Sequence, residues 1–369
     1  MNNEIINVTQ PPVPSVDELT PYLEDIFQSK QLTNGGKYHN LLEKKLANFL
    51  EVPYVSLFNN GTLALVTAIQ SLGLEGEAIT TPYTFAATTN SIWWNNLKPV
   101  FVDIEPLFYN IDSSKIEEKI TSNTSAIIPV HVYGNPCNVD EIQSIANKYN
   151  LKVIYDAAHA FGVTYNGKSL LNHGDFSVLS FHATKVFSTI EGGAVISKSL
   201  EMKERLDNLR NFGLKDETSS IGPGLNSKLN EIQAAFGLVQ LNHVLSHIDK
   251  RKKVAEFYSN NLSDISGIET QIVPLNTSLT YTYFPISVDE HKFGLSRDKL
   301  YEKLGENNIN CRRYFYPLVS DFEPFSQLES SQISNLPVSK SIVEKVLCLP
   351  IYPSIKKEDL SRIIEIIKS

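Results

Sequence analysis

Short apolar runs alternate with longer amphipathic stretches over the first two-thirds of the chain. We interpret the stretches Leu63–Leu72 and Asp140–Lys148 as helices. Strands that alternate with helices indicate a mainly parallel sheet covered on both faces, because each return to a parallel strand needs a crossover. The runs that we interpret as strands are Tyr54–Phe58, Ala78–Thr80, Pro99–Val102, Ala126–Val130, Lys152–Tyr155 and Ser177–Phe181. The sequence therefore predicts an α/β fold.

A second, smaller domain is expected after this alternating region. The chain has 369 residues, a length that suits two domains better than one small core. Apolar residues at helical spacing predict one long helix from Asn230 to about Leu262. From about Ile268 the pattern mixes strands and helices with many prolines, as in an α+β domain. We therefore predict a large domain over residues 1–249 and a small domain over residues 250–369.

The charge and the cysteine pattern exclude several classes of protein. A formal net charge of −8 argues against a general nucleic-acid-binding protein but leaves room for a small anionic ligand. Cys137, Cys311 and Cys348 form no CxxC pair, so we expect neither a disulfide framework nor a metal site. Residues 1–4 lack the features of a signal peptide, and no apolar run reaches the ~20 residues of a membrane span. We expect a cytoplasmic protein that binds neither nucleic acid nor membrane.

Two motif matches are better explained without function. Gly162–Ser169 fits the P-loop expression GxxxxGK[ST], but a P-loop must lead from a strand into a helix. Here Asn166-Gly167 separates two short apolar runs, which is typical of a β-hairpin. His243 and His247 are four residues apart on the long helix without a third ligand nearby in the sequence. We predict a hairpin and an ordinary helix face.

Three other segments each follow a predicted strand at its carboxyl end, where ligands bind in open α/β sheets. The first is Asn59-Asn60-Gly61-Thr62, directly before a predicted helix. Free N–H groups at a helix N-terminus favour phosphate. Gly61 permits close approach of the backbone, and Thr62 can add a hydroxyl donor. Thr62 could equally be a helix cap.

The other two segments carry a carboxylate and a lysine. Asp156, the first residue of Asp156-Ala157-Ala158-His159, ends an apolar strand, where a carboxylate is costly unless it meets a cation or donors. A protonated pyridine nitrogen is one such cation, and helix capping is the alternative. Lys185 follows the strand that ends near Ser180 and precedes a glycine-rich turn. A shielded lysine can act as a Schiff-base nucleophile. Phosphate anchor, carboxylate and lysine together predict pyridoxal 5'-phosphate (PLP).

With these residues in place, the chain resembles the DegT/StrS-type sugar aminotransferases of the fold-type-I PLP family over nearly its whole length. The resemblance implies an aspartate-aminotransferase-like fold, in which a large PLP-binding domain holds a mainly parallel sheet between helices and a smaller α+β domain follows. The motifs that carry it are Leu32-Thr33-Asn34-Gly35, Asn60-Gly61-Thr62, Thr81-Pro82-Tyr83-Thr84-Phe85, Asp156-Ala157-Ala158-His159, Ser180–Lys185, Glu191-Gly192-Gly193, Gly224-Leu225-Asn226 and Tyr316-Pro317-Leu318.

The resemblance assigns roles to the cofactor-binding residues. It implies that Lys185 carries PLP as a Schiff base, that Asp156 pairs with the pyridinium nitrogen, and that PLP alternates with pyridoxamine 5'-phosphate during turnover. Phe85 is implied to stack on the ring, and His159 to lie near its phenolic oxygen. The residues implied to hold the phosphate are Gly61, Thr62 and Ser180.

The resemblance also implies partners and substrates. Asn226 corresponds to a residue that reaches the phosphate of the neighbouring subunit, so a homodimer with shared active sites is expected. Lys228 departs from the family pattern, which commonly has Arg there, and Val319 follows Tyr316-Pro317-Leu318 where the family often has His. The residues implied to contact the substrate are Thr33, Asn34, Arg313 and Tyr316, with Arg312 nearby.

Stretches 180–187 and 312–317 are most similar to the branch of the family that makes dTDP-4-amino-4,6-dideoxyglucose for surface polysaccharides. The expected reaction therefore moves an amino group from glutamate to a nucleotide-linked keto-sugar, most simply dTDP-4-keto-6-deoxy-D-glucose. Amination of a 3-keto-sugar is the nearest alternative. Related dehydratases replace the Schiff-base lysine by histidine, whereas this chain has Lys185. A racemase or decarboxylase would act on an amino acid alone. A non-enzymatic PLP sensor or scaffold is a more distant alternative, for which the sequence shows no supporting helix-turn-helix or basic arm.

Overall fold

The computed structural model describes residues 4–369. Its helices are α1 (Val16–Ser29), α2 (Lys37–Leu50), α3 (Gly61–Ser71), α4 (Ala86–Trp94), α5 (Val139–Tyr149), α6 (Leu200–Leu209), α7 (Glu231–Leu262), α8 (Glu290–Phe293), α9 (Arg297–Glu306), α10 (Pro337–Val343) and α11 (Lys357–Lys368). Its strands are β1 (Tyr54–Phe58), β2 (Glu77–Thr80), β3 (Lys98–Phe101), β4 (Thr124–Ile128), β5 (Lys152–Asp156), β6 (Thr164–Tyr165), β7 (Lys168–Ser169), β8 (Phe176–Ser180), β9 (Gly193–Ser197), β10 (Ile268–Thr270), β11 (Thr277–Ser278), β12 (Phe284–Val288) and β13 (Val346–Leu349). The strands and helices expected from the sequence are confirmed, with ends that differ by one or two residues.

The large sheet carries the strand ends to which the predicted ligand-binding segments belong. Within residues 4–369 it has seven strands in the order β1-β9-β8-β5-β4-β2-β3. Strands β8, β5, β4, β2 and β3 run parallel, whereas β9 is antiparallel to both β1 and β8. Residues 181–192, which join β8 to β9, contain no helix, and a return without a crossover must be antiparallel. The prediction of a mainly parallel sheet is confirmed, with β9 as the exception.

Helices cover both faces of this sheet because successive side chains of a strand point to opposite sides. In β5, Val153 and Tyr155 pack in a core with α2, α5 and the first part of α7. Ile154, between them, packs in a separate core with α3, α4 and α6. The two cores fix the strands from both sides, so the polar residues just beyond the strand ends are held on a rigid frame.

The C-terminal part forms a second unit around its own core. Strands β10, β12 and β13 form an antiparallel sheet, which packs with α9, α11 and the second part of α7. Helix α7 contributes Val244 to the core of the large sheet and Val254 to that of the small sheet. Ile6, near the N-terminus, also packs in the small-sheet core and pairs with Ile309. The division at residue 249 stays a prediction.

The two motif matches without a function have the structures expected of them. Residues 162–169 contain the antiparallel hairpin of β6 and β7, with Asn166-Gly167 at its turn, so the hairpin prediction is confirmed. The His243 side chain on α7 is hydrogen-bonded to the Glu18 carboxylate of α1. Among residues 4–369, no group of three or more potential metal ligands occurs, and no helix in this range is both long and apolar enough to cross a membrane.

Candidate active site

A cavity of about 270 Å³ lies at the carboxyl ends of β1, β5 and β8. Because these strands are held in one sheet, the segments that follow them meet at the same edge. The cavity brings together seven of the residues singled out from the sequence, which are Gly61, Thr62, Phe85, Asp156, His159, Ser180 and Lys185. Four further wall residues, Tyr283, Arg312, Tyr314 and Phe315, come from a part of the chain that is far from these segments in the sequence.

The first part of the cavity is the N-terminus of α3. Asn60 caps this helix, since its side-chain oxygen accepts a hydrogen bond from the Leu63 N–H at 2.8 Å. The alternative that Thr62 is the cap is therefore wrong, and Thr62 is an exposed residue on the cavity wall. A Cβ on Gly61 would lie 3.0 Å from the Ser180 Cβ. Gly61 and Ser180 thus form a narrow cradle beside the free N–H groups of the helix.

The second part is the carboxylate of Asp156 at the end of β5. Asp156 is buried, and its two oxygens accept hydrogen bonds from the Thr88 hydroxyl at 2.7 Å and the Ala158 N–H at 3.1 Å. Burial raises the pKa of Asp156 above its ordinary value. No helix begins directly after Asp156, because residues 157–163 form turns, so the capping alternative is wrong. The carboxylate is held in a place where a cationic partner would stabilise its charged form.

Thr88 was not identified from the sequence. It lies on α4, is fully buried, and also contacts the Thr84 hydroxyl at 2.8 Å. The two threonines lie four residues apart, Thr84 just before the N-cap Phe85 and Thr88 in the first turn of α4. That spacing is a weak signal, because buried threonines are common in helices that pack on sheets.

The third part is the amine of Lys185. Lys185 lines the cavity in the turn after β8, and its Nζ donates a hydrogen bond to the Tyr283 hydroxyl at 3.3 Å. Burial lowers the pKa of Lys185 to about 8, although the neighbouring Tyr314 and Asp156 act in the opposite direction. An amine with a pKa near 8 is partly neutral at physiological pH, and only the neutral form has a lone pair for nucleophilic attack.

His159 is a neutral hydrogen-bonding group in the same wall. Its Nδ1 accepts a hydrogen bond from the Tyr133 N–H at 3.2 Å, so the ring proton lies on Nε2. Burial holds the pKa of His159 well below its usual range. The ring lies parallel to that of Phe315, with centroids 5.8 Å apart. The arrangement fixes one tautomer and one ring orientation.

Five of the residues selected from the sequence do not line this cavity. Thr33 and Asn34 are exposed before α2. Arg313 pairs with Asp298 at 2.8 Å and stacks on Tyr301. The other two are Tyr316, over whose ring Arg297 lies, and Asn226, an exposed residue whose side-chain oxygen accepts a hydrogen bond from Lys228. Their proposed contacts with substrate or cofactor stay predictions.

Arg312 lines the cavity instead of its neighbour Arg313. Its backbone pairs with Cys348 in both directions, at 3.1 and 2.8 Å, and its guanidinium lies over the Tyr314 ring, 4.6 Å from the centroid. Among the residues that the structure describes, Arg312 forms no ion pair, whereas Arg313 is held by Asp298. The cavity therefore includes one exposed guanidinium that is available to an anionic ligand.

Comparison with known proteins places this site in a family. Residues 15–368 match the model of the DegT/DnrJ/EryC1/StrS aminotransferase family. The chain belongs to this family. It is 53% identical over 363 residues to the dTDP-4-amino-4,6-dideoxy-D-glucose transaminase of Shigella dysenteriae, covering 98% of both chains. It is 50% identical over 368 residues to the enzyme of the same name from Escherichia coli, covering 100% of this chain and 99% of that enzyme.

The fold agrees with this membership. The crystal structure of DesI in the presence of its TDP-sugar product superimposes with a TM-score of 0.94 at 30% sequence identity, covering 100% of this chain and 93% of DesI. The fold expected from the resemblance, a sheet of mainly parallel strands between helices with smaller sheets, is confirmed. The protein is a sugar aminotransferase of the DegT/DnrJ/EryC1/StrS family.

Proposed function

We propose that this aminotransferase uses PLP to move an amino group from glutamate to dTDP-4-keto-6-deoxy-D-glucose, giving dTDP-4-amino-4,6-dideoxy-D-glucose. The observation that carries the proposal is the enclosure of the Lys185 amine and the Asp156 carboxylate in one cavity with the N-terminus of α3. Support for the sugar comes from the two transaminases that share 53% and 50% of their residues with nearly the whole chain.

Three features of the chain fit PLP. The cradle of Gly61 and Ser180 at the N-terminus of α3 suits a phosphate, because helix N–H groups and the helix dipole favour anions. The buried Asp156 carboxylate suits a protonated ring nitrogen, which would offset the cost of its burial. The Lys185 amine, with its lowered pKa, suits a Schiff base. PLP, when bound, supplies an electron sink for the bond that is broken at the amino-bearing carbon.

Lys185 is proposed to carry the proton in both half-reactions. As a neutral amine it would accept a proton from the carbon that bears the amino group of glutamate, and as an ammonium it would deliver that proton to a different carbon, C4′ of the cofactor. In the second half-reaction the same two transfers run in reverse on the sugar. Positioned proton transfer of this kind is worth about 10²- to 10⁴-fold in rate. The pKa of about 8 places both protonation states of Lys185 within reach at neutral pH.

A second copy of the chain is proposed to complete the phosphate end of each site. Asn226 is exposed, and Lys228, a group that can only donate, is bonded to its oxygen at 2.9 Å. The amide N–H₂ of Asn226 therefore stays available to an acceptor outside the chain. We propose that it serves the phosphate of a neighbouring subunit in a homodimer.

The glycine at the start of β9 controls the shape of the phosphate cradle. A Cβ on Gly193 would lie 2.7 Å from the Asn60 carbonyl and from the Gly61 nitrogen, and backbone cannot move aside cheaply. We expect Gly193→Ala to destabilise the protein by about 1–3 kcal/mol and to weaken PLP binding about tenfold. Thermal unfolding and equilibrium titration with PLP measure the two effects.

Gly305 in α9 provides the matched control. A Cβ there meets open space, so Gly305→Ala should stabilise the helix by about 0.5–1 kcal/mol and leave PLP affinity unchanged. If Gly193→Ala binds PLP with wild-type affinity, the cradle at the N-terminus of α3 does not hold the phosphate.

Arg312 is proposed to bind an anionic group of the substrates. Charge-assisted hydrogen bonds are worth about 1.5–3 kcal/mol, so Arg312→Met should raise the KM for glutamate or for the nucleotide sugar about 10- to 100-fold. Arg313→Met should have a much smaller effect, because Arg313 is already paired with Asp298. The measurement is steady-state KM for both substrates in both variants. A larger effect in Arg313→Met would support the sequence-based assignment and contradict the placement of Arg312.

The proposed function as a whole is tested by separating the half-reactions. Protein loaded with PLP is treated with glutamate, excess donor is removed, and dTDP-4-keto-6-deoxy-D-glucose is added. We expect the visible absorbance band to disappear with glutamate and to return with the sugar, together with an amino-sugar nucleotide in the mass spectrum. A band that disappears but returns only with the 3-keto isomer would overturn the choice of sugar. Absence of any band in folded protein would overturn the assignment of Lys185.

A further inference from the structure

Tyr283 contacts the reacting amine and was not identified from the sequence. It is the residue before β12, and only 4% of its surface is exposed. Its hydroxyl accepts the hydrogen bond from the Lys185 Nζ at 3.3 Å, and that Nζ also lies 5.5 Å from the centroid of the Tyr283 ring. Within residues 4–369, no other side chain is hydrogen-bonded to this amine.

The segment that carries Tyr283 is held from both domains. The Thr282 hydroxyl donates a hydrogen bond to the carbonyl of His159 at 3.0 Å, which ties the segment to the large sheet. The fully buried Arg251 of α7 donates to the carbonyls of Tyr281 at 3.3 Å and Ile351 at 3.1 Å. A guanidinium is a rigid fork of donors, so it fixes several carbonyls at once. The hydroxyl of Tyr283 thus has a defined position relative to Lys185.

Aromatic neighbours restrict the Tyr283 ring itself. The ring meets His159 edge-on, with centroids 4.9 Å apart and an interplanar angle of 76°. Tyr314 lies against it with a centroid distance of 4.6 Å. Burial raises the pKa of Tyr283, so the hydroxyl keeps its proton at neutral pH. A protonated phenol can donate one hydrogen bond and accept others.

We propose that the Tyr283 hydroxyl is a catalytic group that holds the free amine of Lys185 in position during proton transfer. It accepts a hydrogen bond when Lys185 is an ammonium and donates one when Lys185 is a neutral amine. The proton balance is closed by Lys185 alone, which in each half-reaction takes one proton from one carbon and delivers it to another, while Tyr283 stays protonated. Without this contact, the flexible four-carbon stem of the lysine lets the amine move away from the reacting carbon. This inference rests on the proposed function of Lys185.

The test variant is Tyr283→Phe, which keeps the ring and removes the hydroxyl. We expect the single-turnover reaction with glutamate to slow about 10- to 100-fold, as for loss of a hydrogen bond to a charged group. A second readout uses the apoprotein, whose rate of association with PLP is followed against pH by absorbance. In the wild type, the pH at the midpoint of this rate–pH curve reports the pKa of Lys185, about 8.

The midpoint should move to lower pH in Tyr283→Phe. Hydrogen bonds to ammonium are stronger than those to a neutral amine, so loss of the hydroxyl destabilises the charged form and lowers the pKa of Lys185 further. The groups that surround the amine and stay unchanged in the variant are Asp156, His159, Arg312 and Tyr314. A role in packing alone would not move this midpoint.

Tyr258→Phe is the matched control. Tyr258 is a fully buried tyrosine of the small-sheet core, and its hydroxyl donates to the Pro350 carbonyl at 2.8 Å. This variant loses a buried phenol hydroxyl away from Lys185, so the midpoint and the glutamate rate should match the wild type. If Tyr283→Phe does not fold, Tyr283→His serves as the second variant, since a ring nitrogen can still bond to the amine and should keep the midpoint closer to that of the wild type.

The outcomes separate this inference from the proposed function. A wild type that forms no absorbance band with PLP overturns the assignment of Lys185 itself. A working wild type with an unchanged midpoint in the Tyr283 variant overturns the role of Tyr283 and leaves the assignment of Lys185 intact. A slower glutamate reaction with an unchanged midpoint also overturns it, because the loss would then act through something other than the amine.

Discussion

Replacing Lys185 with alanine is expected to reduce turnover at least about 10⁴-fold while PLP still binds. The variant loses both the nucleophile and the group that transfers the proton, and positioned proton transfer alone is worth up to about 10⁴-fold. The cradle of Gly61 and Ser180 and the carboxylate of Asp156 are unchanged, so the cofactor keeps two of its proposed anchors. Steady-state assays measure the loss, and equilibrium dialysis of PLP measures the binding.

The band that reports covalent attachment should be absent in Lys185→Ala, because Lys185 is the one lysine among residues 4–369 that lines the cavity. Lys198→Ala is the control, since Lys198 is an exposed lysine just beyond β9. It should keep wild-type turnover and the wild-type absorbance band. Normal steady-state turnover by Lys185→Ala would remove this residue from the mechanism.

Replacing Asp156 with asparagine is expected to slow the reaction of the PLP-loaded enzyme but to raise the stability of the apoprotein. In the loaded enzyme the variant loses the carboxylate that pairs with the ring nitrogen. Breaking a buried charge pair costs about 3–5 kcal/mol, which corresponds to a rate about 10²- to 10⁴-fold lower. Rapid-mixing measurement of the glutamate half-reaction checks the rate.

The apoprotein should become more stable in the same variant at pH 7. Burial raises the pKa of Asp156, so the folded state binds protons more tightly than the unfolded state. The contribution of this group to stability is therefore fully present below the unfolded pKa and is lost as the pH rises through the raised folded pKa. An asparagine does not ionise, so the advantage of Asp156→Asn should grow over that pH range and vanish in strong acid.

Urea unfolding of the two apoproteins at a series of pH values measures this difference. Asp140→Asn is the control, because Asp140 is an exposed carboxylate in the first turn of α5, and its loss should cost less than about 1 kcal/mol at any pH. If Asp156→Asn lowers the stability of the apoprotein at pH 7, the carboxylate is satisfied by Thr88 and Ala158 and needs no cation. The pairing with a ring nitrogen would then lose its physical basis.

Much of the site could be predicted because local sequence determines where strands end. The apolar runs before Asn59, Asp156 and Ser180 end in polar or small residues, and parallel strands bring their carboxyl ends to one edge. Six of the seven cavity residues lie in these three segments, whereas Phe85, in the β2–α4 loop, was expected only from the family resemblance. The choice of cap at α3 did not follow from the strand ends, since Asn60 and Thr62 are both suitable caps and the backbone conformation selects Asn60.

The sequence by itself determined the alternation of strands and helices, the segments that meet at the sheet edge, and the lysine and carboxylate that the chemistry needs. Only the tertiary structure decided which distant side chains complete the site. Arg312 and Arg313 are equivalent in sequence, but Arg312 pairs through its backbone with Cys348 while Arg313 turns to Asp298, because neighbouring residues of an extended segment point to opposite sides. Tyr283 likewise contacts Lys185 although the two residues are 98 positions apart in the chain. The packing of α7 and the small sheet brings these segments together, and hydrophobic periodicity, which is a local pattern, cannot predict such a contact.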